Sequence, residues 1–320
     1  MLFLFFNLES KTIIMKRTYL FFFLYCTLIT ILPQVSKAQS IGNAKDNLDV
    51  SMQSHYKIYD VVNKKLIQLD DLVNSLKPMD VIFFGEEHND STAHHLQFEV
   101  FKKLGQIQGA AYALSLEMFH TDVQPIMDEY LKGIISEKNF IKETRAWNNY
   151  KDYKPLIEHA KLNQLPVIAA NAATRYTNAV TRSGLESLAN LPSSSKNYLA
   201  PLPIDTLTGP YYEKFTALLG GHMGSMKVYQ SQNLWDATMA WSMANFKKKY
   251  KKYKILHLNG RFHSDEKLGT YAQLKKYAPK LKTTNIACFS ADDFQQPNWE
   301  KYTHLGDYVI LTDPQVKRSY

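Results

Sequence analysis

The chain has 320 residues, 45% hydrophobic and 21% charged, with two cysteines and a formal net charge of +8. That is enough chain for one large domain with a substantial core, and two cysteines exclude a disulfide-stapled fold. Residues 1–38 hold four Lys/Arg and one Glu, so the remainder keeps +5. Much of this lies in the run from Lys247 to Lys254, which reads as a solvated helix end; no nucleic-acid-binding motif accompanies it, so nucleic acid is not an expected partner.

The N-terminus reads as a secretion signal. Lys16-Arg17 precedes an apolar stretch, Tyr19 to Leu32, and the sequence Val35-Ser36-Lys37-Ala38 gives a small-x-Ala cleavage site after Ala38. The stretch is shorter than the roughly 20 residues that span a bilayer. Met15 is a natural alternative start, since it places the basic pair directly after the initiator. Cys26 follows Tyr25 rather than a small residue, which argues against a lipid anchor. The expected destination is therefore the periplasm or the outer-membrane periphery. Residues 39–54 are polar and read as a flexible lead-in, and residues 55–320 as a single domain.

In chain order, Tyr56–Val61 and Lys65–Gln68 read as an edge hairpin, and Asp70–Leu76 as a short helix stopped by Pro78. The apolar run from Val81 ends at Gly85-Glu86-Glu87-His88 and opens a helix over Ser91–Leu104. Tyr112–Phe119 is a second strand with Glu117 near its end. Helices are expected over 122–131, 136–144 and 155–163, then a strand over 167–170 closed by Asn171, and Arg175-Tyr176 opens the next helix. Residues 183–229 are broken by four prolines and the Ser193-Ser194-Ser195 run, and close on Gly220-Gly221-His222-Met223-Gly224. With residues 120–165 they read as an inserted helical cap. A long helix over 230–250 carries the stripe Trp235, Met239, Met243 and Phe246, expected in the core. Strands follow at 255–258, 283–289 and 308–312, the second holding Cys288 as an ordinary core thiol. Short apolar strands alternating with helices predict an α/β fold with a mainly parallel central sheet flanked by helices.

Gly-x-x-His occurs twice, at 85–88 and 260–263, each time directly after a strand. In open α/β sheets ligands bind beyond the carboxyl ends of the strands. Those ends here carry Glu86, His88, Glu117, Asn171, Arg261 and His263, so His88 and His263 are expected to face one crevice. Three chemistries fit. A His beside a carboxylate can act as a general base, with Arg261 stabilising developing negative charge. His88 and His263 with the carboxylates can hold a divalent metal, although the spacing is not that of a His-Glu-x-x-His zinc site. A flat apolar cofactor such as haem is the third, given 20 Tyr, 17 Phe and 10 Met and the loop residues His222 and Met223. Of His94 and His95, about 100° apart on their helix, only one can face the crevice.

Read as a set, GEEHND at 85–90, HHLQ at 94–97, LEMF at 116–119, the Trp147 to Tyr153 segment, IAAN at 168–171, the Gly-Gly-His loop at 220–222, QNLWDATMA at 232–240 and NGRFH at 259–263 resemble the ChaN-like haem-binding, iron-regulated protein family. The resemblance covers roughly residues 75–312. The paired Gly-x-x-His motifs are also similar to those of the wider superfamily of erythromycin esterases and TraB/Tiki proteases, whose members use strand-end His and Glu for hydrolysis. The resemblance implies an extracytoplasmic protein that binds haem and assists iron acquisition, as a homodimer and with an outer-membrane haem receptor as partner. It carries over Glu86, His88, Glu117, Arg261 and His263. It also implies a tyrosine ligand to haem; Tyr176 is the first choice, with Tyr150 and Tyr153 next and His222 as a further haem-contacting residue. The expectation is a binder rather than an enzyme, and a hydrolase if it is an enzyme.

Overall fold

Apolar runs and turn signals resolve into β1 (Tyr56–Asp60), β2 (Lys65–Ile67), α1 (Leu69–Leu76), β3 (Val81–Glu86), α2 (Ser91–Gly105), β4 (Ala111–His120), α3 (Gln124–Leu131), α4 (Glu137–Glu143), α5 (Tyr150–Leu162) and β5 (Val167–Asn171). The chain continues through α6 (Thr174–Ser183), α7 (Ser193–Lys196), α8 (Pro210–Leu218), α9 (Met226–Lys249), β6 (Tyr253–Gly260), α10 (Gly269–Tyr277), β7 (Thr283–Ser290) and β8 (Tyr308–Thr312). This is a computed structural model; it describes residues 52–107, 111–219 and 226–320. The expected signal segment, the expected lead-in up to residue 51 and His222 lie outside the described residues.

The strands form one sheet in the order β2-β1-β8-β7-β3-β6-β4-β5. β8, β7, β3, β6, β4 and β5 run parallel, and the hairpin β1–β2 closes one edge antiparallel. The expected mainly parallel α/β sheet and its edge hairpin are both present.

Both faces of the sheet are buried, which is why the strands read as unbroken apolar runs. Along β3 the side chains alternate. Ile82 and Phe84 join Leu114, Leu116, Leu256 and Leu258 in a core shared with α2 and α5. Val81 and Phe83 face the other way, onto Met239 and Met243 of α9 and Leu274 of α10. The methionine stripe of α9 is therefore core, with Trp235 and Phe246 packed partly buried beside it. Cys288 is likewise a buried free thiol in β7. No helix among the described residues is long and apolar enough to cross a membrane.

Residues 123–160, expected as part of a cap, share the first core with the sheet through Val123, Met127, Tyr130, Phe140 and Tyr153. The irregular stretch after α6 packs Leu188, Leu199 and Ile204 onto α6 and α9. Two local expectations need correction. The helix expected from Pro155 starts a turn earlier, at Tyr150, and carries Pro155 inside it. Tertiary hydrogen bonds from Asn149 and Tyr153 hold that first turn and outweigh the lost backbone bond. Lys247 is not solvated: it is buried, and its ammonium donates to the Lys251 and Tyr253 carbonyls and pairs with Asp80, closing the α9–β6 turn.

Phe84 is fully buried at the centre of the first core. Phe84→Ala should cost about 3–5 kcal/mol in urea unfolding. A loss under about 1 kcal/mol would mean that this face is not close-packed.

Candidate functional site

β3 and β6 are neighbours, and their parallel register sets Gly85 beside Asn259 and Glu86 beside Gly260. The two Gly-x-x-His motifs therefore lie side by side at the carboxyl end of the sheet's centre. Each glycine makes room for the other motif. A Cβ on Gly260 would sit 2.7 Å from His88 Nε2, and one on Gly85 would sit 3.0 Å from the Cα of Arg261. Asp90 then starts α2, its carboxylate accepting from the Thr92 and Ala93 amides, and so fixes the loop that carries His88.

Glu86 is 1% exposed and its carboxylate is saturated with donors. Oε1 accepts from the Tyr153 hydroxyl at 2.5 Å and from His88 Nδ1 at 2.9 Å. Oε2 accepts from the Gln97 amide and lies 3.4 Å from His94 Nδ1. Burial alone would raise the Glu86 pKa, but the hydrogen bonds and charges of His88 and His94 bring it down to about 2. His94, lowered by burial but raised more by Glu86, comes to about 9; its Nε2–H donates to the His88 carbonyl at 3.1 Å. Burial also works against the charged form of His88, yet Glu86 and Glu117 carry its pKa upward. The His88 side chain stays 31% exposed, its ring edge-on to Trp147.

Across Gly260 lies a second couple. Glu117 Oε2 accepts from the Gly260 amide at 2.6 Å, and Oε1 is 3.5 Å from His263 Nε2. His263 Nδ1 donates to Asp236 Oδ1 at 2.7 Å, and Asp236 also accepts from the Thr270 and Tyr211 hydroxyls. Burial lowers His263, but Glu117 and Asp236 raise it to about 9. The pairing of β4 with β5 shifts register between Leu116 and His120, an irregularity at the very residues that include Glu117. His88 and His263 thus both approach Glu117, one from each motif. With Nδ1 fixed on Glu86, His88 presents Nε2 toward Gly260 and Glu117, where it can take up or give a proton.

The remaining residues singled out from sequence go elsewhere. Arg261 turns toward β7: its guanidinium lies 3.9 Å above the Phe289 ring and pairs with Asp265 at 2.7 Å. Asn171 folds back on the Ala172 amide. Tyr153 belongs to the site as a neutral phenol on Glu86; burial and that carboxylate push its pKa up. Tyr150 packs with Phe140, and Tyr176 sits in the small core over α6; both are buried. None of the three phenols is placed to meet a large ligand. Among the described residues no group of three or more His, Cys, Asp or Glu is arranged to hold a metal ion.

His94, Gln97, Gln232 and Asp236 were not singled out as site residues. Their signal was available: His94/Gln97 at i,i+3 and Gln232/Asp236 at i,i+4 are polar pairs, each on one face of its helix. Beneath the site, His257 is fully buried on Ser115; burial and the nearby His263 lower it to about 3.

These shifts set a pH optimum for stability. His94 and His263, raised from 6.5 to about 9, contribute fully below pH 6.5, and that contribution is lost as pH rises through 9. His257, lowered from 6.5 to about 3, contributes above pH 6.5 and loses this as pH falls toward 3. Glu86, lowered from 4.5 to about 2, contributes above pH 4.5 and fades toward pH 2. Thermal unfolding followed by circular dichroism should therefore peak near pH 6.5 and decline on both sides. A midpoint flat from pH 6.5 to 9 would show that His94 and His263 are not held as imidazolium.

Comparison with solved structures shows the same fold in "Cofacial heme binding to ChaN of Campylobacter jejuni", at 18% identity and a TM-score of 0.62, covering 81% of this chain and 97% of that one. Two weaker likenesses, on which nothing here rests, are a type III effector (13% identity, TM-score 0.45, 77% and 93% covered) and an erythromycin esterase mutant in its open conformation (10%, 0.45, 81% and 83%). No curated protein matches the sequence. Residues 72–274 match the family described as "Haem-binding uptake, Tiki superfamily, ChaN". The chain belongs to that family.

Proposed function

We propose that the protein is an extracytoplasmic haem-binding protein that assists haem and iron acquisition. Family membership supports haem as the ligand, and the basic pair, apolar stretch and Ala38 site support export. The observation that carries the reading is a set of exposed apolar residues on either side of the Gly-Gly-His sequence. Leu218, Leu219 and Met226 are 68%, 37% and 54% exposed, and they flank the segment that holds His222 in sequence. Large apolar side chains left exposed in one short stretch of sequence suit a binding surface.

Tyr212 lies nearly two turns before Leu218 on α8. It is half-buried against Tyr229 at 5.0 Å, and its hydroxyl takes no hydrogen bond among the described residues. Tyr212 replaces the buried Tyr150, Tyr153 and Tyr176 as the phenol suited to ligate. Haem supplies a ferric centre for a phenolate or imidazole and a flat apolar face for the patch. Tyr212 would ligate, His222 would contact the ring or its iron, and Leu218, Leu219 and Met226 would exclude water from one face. Pairing of two copies through this surface, and receipt of haem from an outer-membrane receptor, belong to the same reading.

Titration of the purified protein with haem should produce a Soret shift. Tyr212→Phe and His222→Ala should each weaken binding about tenfold or more. Absence of a Soret change in the wild type would sink the reading.

A second reading is favoured by the intact histidine–carboxylate couples: hydrolysis at the strand-end crevice. His88 Nε2 would take a proton from water as the water oxygen attacks the substrate carbonyl, and Glu86 would hold the resulting imidazolium. That imidazolium would return the proton to the leaving group as the scissile bond breaks, with His263 held in place by Glu117 and Asp236 on the far side. Positioned general bases contribute about 100- to 10,000-fold. In a screen of ester and peptide substrates, His88→Gln should lower kcat/KM by that range for any substrate turned over. Undiminished turnover would place the activity elsewhere.

A further inference from the structure

β5 is the outer strand of the sheet, and a groove of about 1090 Å3 runs along it between the α3/α5 layer and α9. Ligand sites typically span about 300–1000 Å3. Its walls are apolar, with Leu131, Leu165, Val167, Ile168, Phe246 and Tyr253 on the lining. Three lysines stand on the same lining: Lys132, Lys161 and Lys249. None of them pairs with a carboxylate among the described residues. Two instead hold their ammonium groups over aromatic rings, Lys161 at 3.8 Å from the Tyr130 ring and Lys249 at 5.0 Å from that of Tyr250. The one acid on the lining, Asp128, already accepts from the Gln124 amide at 2.8 Å.

An open sheet edge ordinarily invites an added strand, because its amides and carbonyls need partners. This edge does not. The Gln124 side chain spans it: Nε2 donates to the Val167 carbonyl at 2.8 Å, and Oε1 accepts from the Ala169 amide at 2.8 Å. Ser242 donates to the Ala170 carbonyl at 3.1 Å. With those groups satisfied, the floor offers little to a peptide backbone and suits an occupant whose body is apolar. Three cations on the lining then call for a negatively charged group on that occupant.

We propose that this groove binds a single-chain anionic amphiphile, a long-chain carboxylate, with its hydrocarbon along β5 and its head group among Lys132, Lys161 and Lys249. Burial of each methylene is worth about 0.8 kcal/mol, so the chain supplies affinity and the lysines supply direction and selectivity for the anion. The site is distinct from the strand-end crevice and from the patch at Tyr212, and it does not depend on haem binding.

The probe is dodecanoate, titrated below its micelle concentration, with dodecyl maltoside as the uncharged and dodecylammonium as the cationic control. The wild type should bind dodecanoate in preference to both. The triple variant Lys132→Gln, Lys161→Gln, Lys249→Gln should bind dodecanoate at least tenfold more weakly and dodecyl maltoside unchanged. Asn245→Trp, at an exposed lining position on α9, should fill the groove and weaken both, while thermal unfolding and haem titration stay as in the wild type. Equal affinity for the three probes, or an unaltered dodecanoate affinity in the lysine variant, would overturn the proposal. Competition between haem and dodecanoate would also overturn it, by assigning the groove to haem.

Discussion

The buried carboxylate of Glu86 is the constraint on which the strand-end architecture depends. A lone carboxylate at 1% exposure would be neutralised, and here it is kept ionised by donors that come from three different elements. Tyr153 reaches it from α5, His94 and Gln97 from α2, and His88 from the loop between β3 and α2. One side chain therefore fixes how two helices meet the end of the central strand. Removing a partner from such a group costs about 3–5 kcal/mol, because the charge stays behind without compensation. The same arrangement leaves His88 with one ring nitrogen committed and the other turned toward Gly260 and Glu117.

The parallel sheet was legible because its strands are buried on both faces, so Val81–Phe84 stands out as a run without polar interruption and Ile255–Leu258 as one broken only by His257. The pairing of the two Gly-x-x-His motifs was legible too, since both follow such runs directly. Side-chain direction was not. Arg261 shares its motif with His263, yet the short 3-10 turn sends it to Phe289 and Asp265. Composition alone could not rank twenty tyrosines, because whether a phenol is reachable depends on neighbours distant in sequence. Tyr153 is spent on Glu86 from 67 residues away. Lys247 shows the same effect in a charge run, where one lysine of several turns inward to close a loop.

The strand-end couples and the exposed apolar residues around α8 occupy different elements of one fold. The couples at the strand ends are buried and rigid, tied by hydrogen bonds to the sheet and to α9. Tyr212 and Leu218 belong to α8, Leu219 follows directly on it, and Met226 opens α9. The two regions are linked, because Tyr211 of α8 donates its hydroxyl to Asp236 in the strand-end couple.

The reciprocal fit of Gly85 and Gly260 has a consequence for how such sites can be exchanged between proteins. Each glycine is the vacancy into which the other strand's motif is seated, Arg261 against Gly85 and His88 against Gly260. Neither strand end is therefore a module by itself. A graft that carried β3 and its loop into another parallel sheet would find its histidine blocked by whatever side chain stood at the neighbouring position. Only both strands transplanted together, in the register that sets Glu86 beside Gly260, form a portable unit.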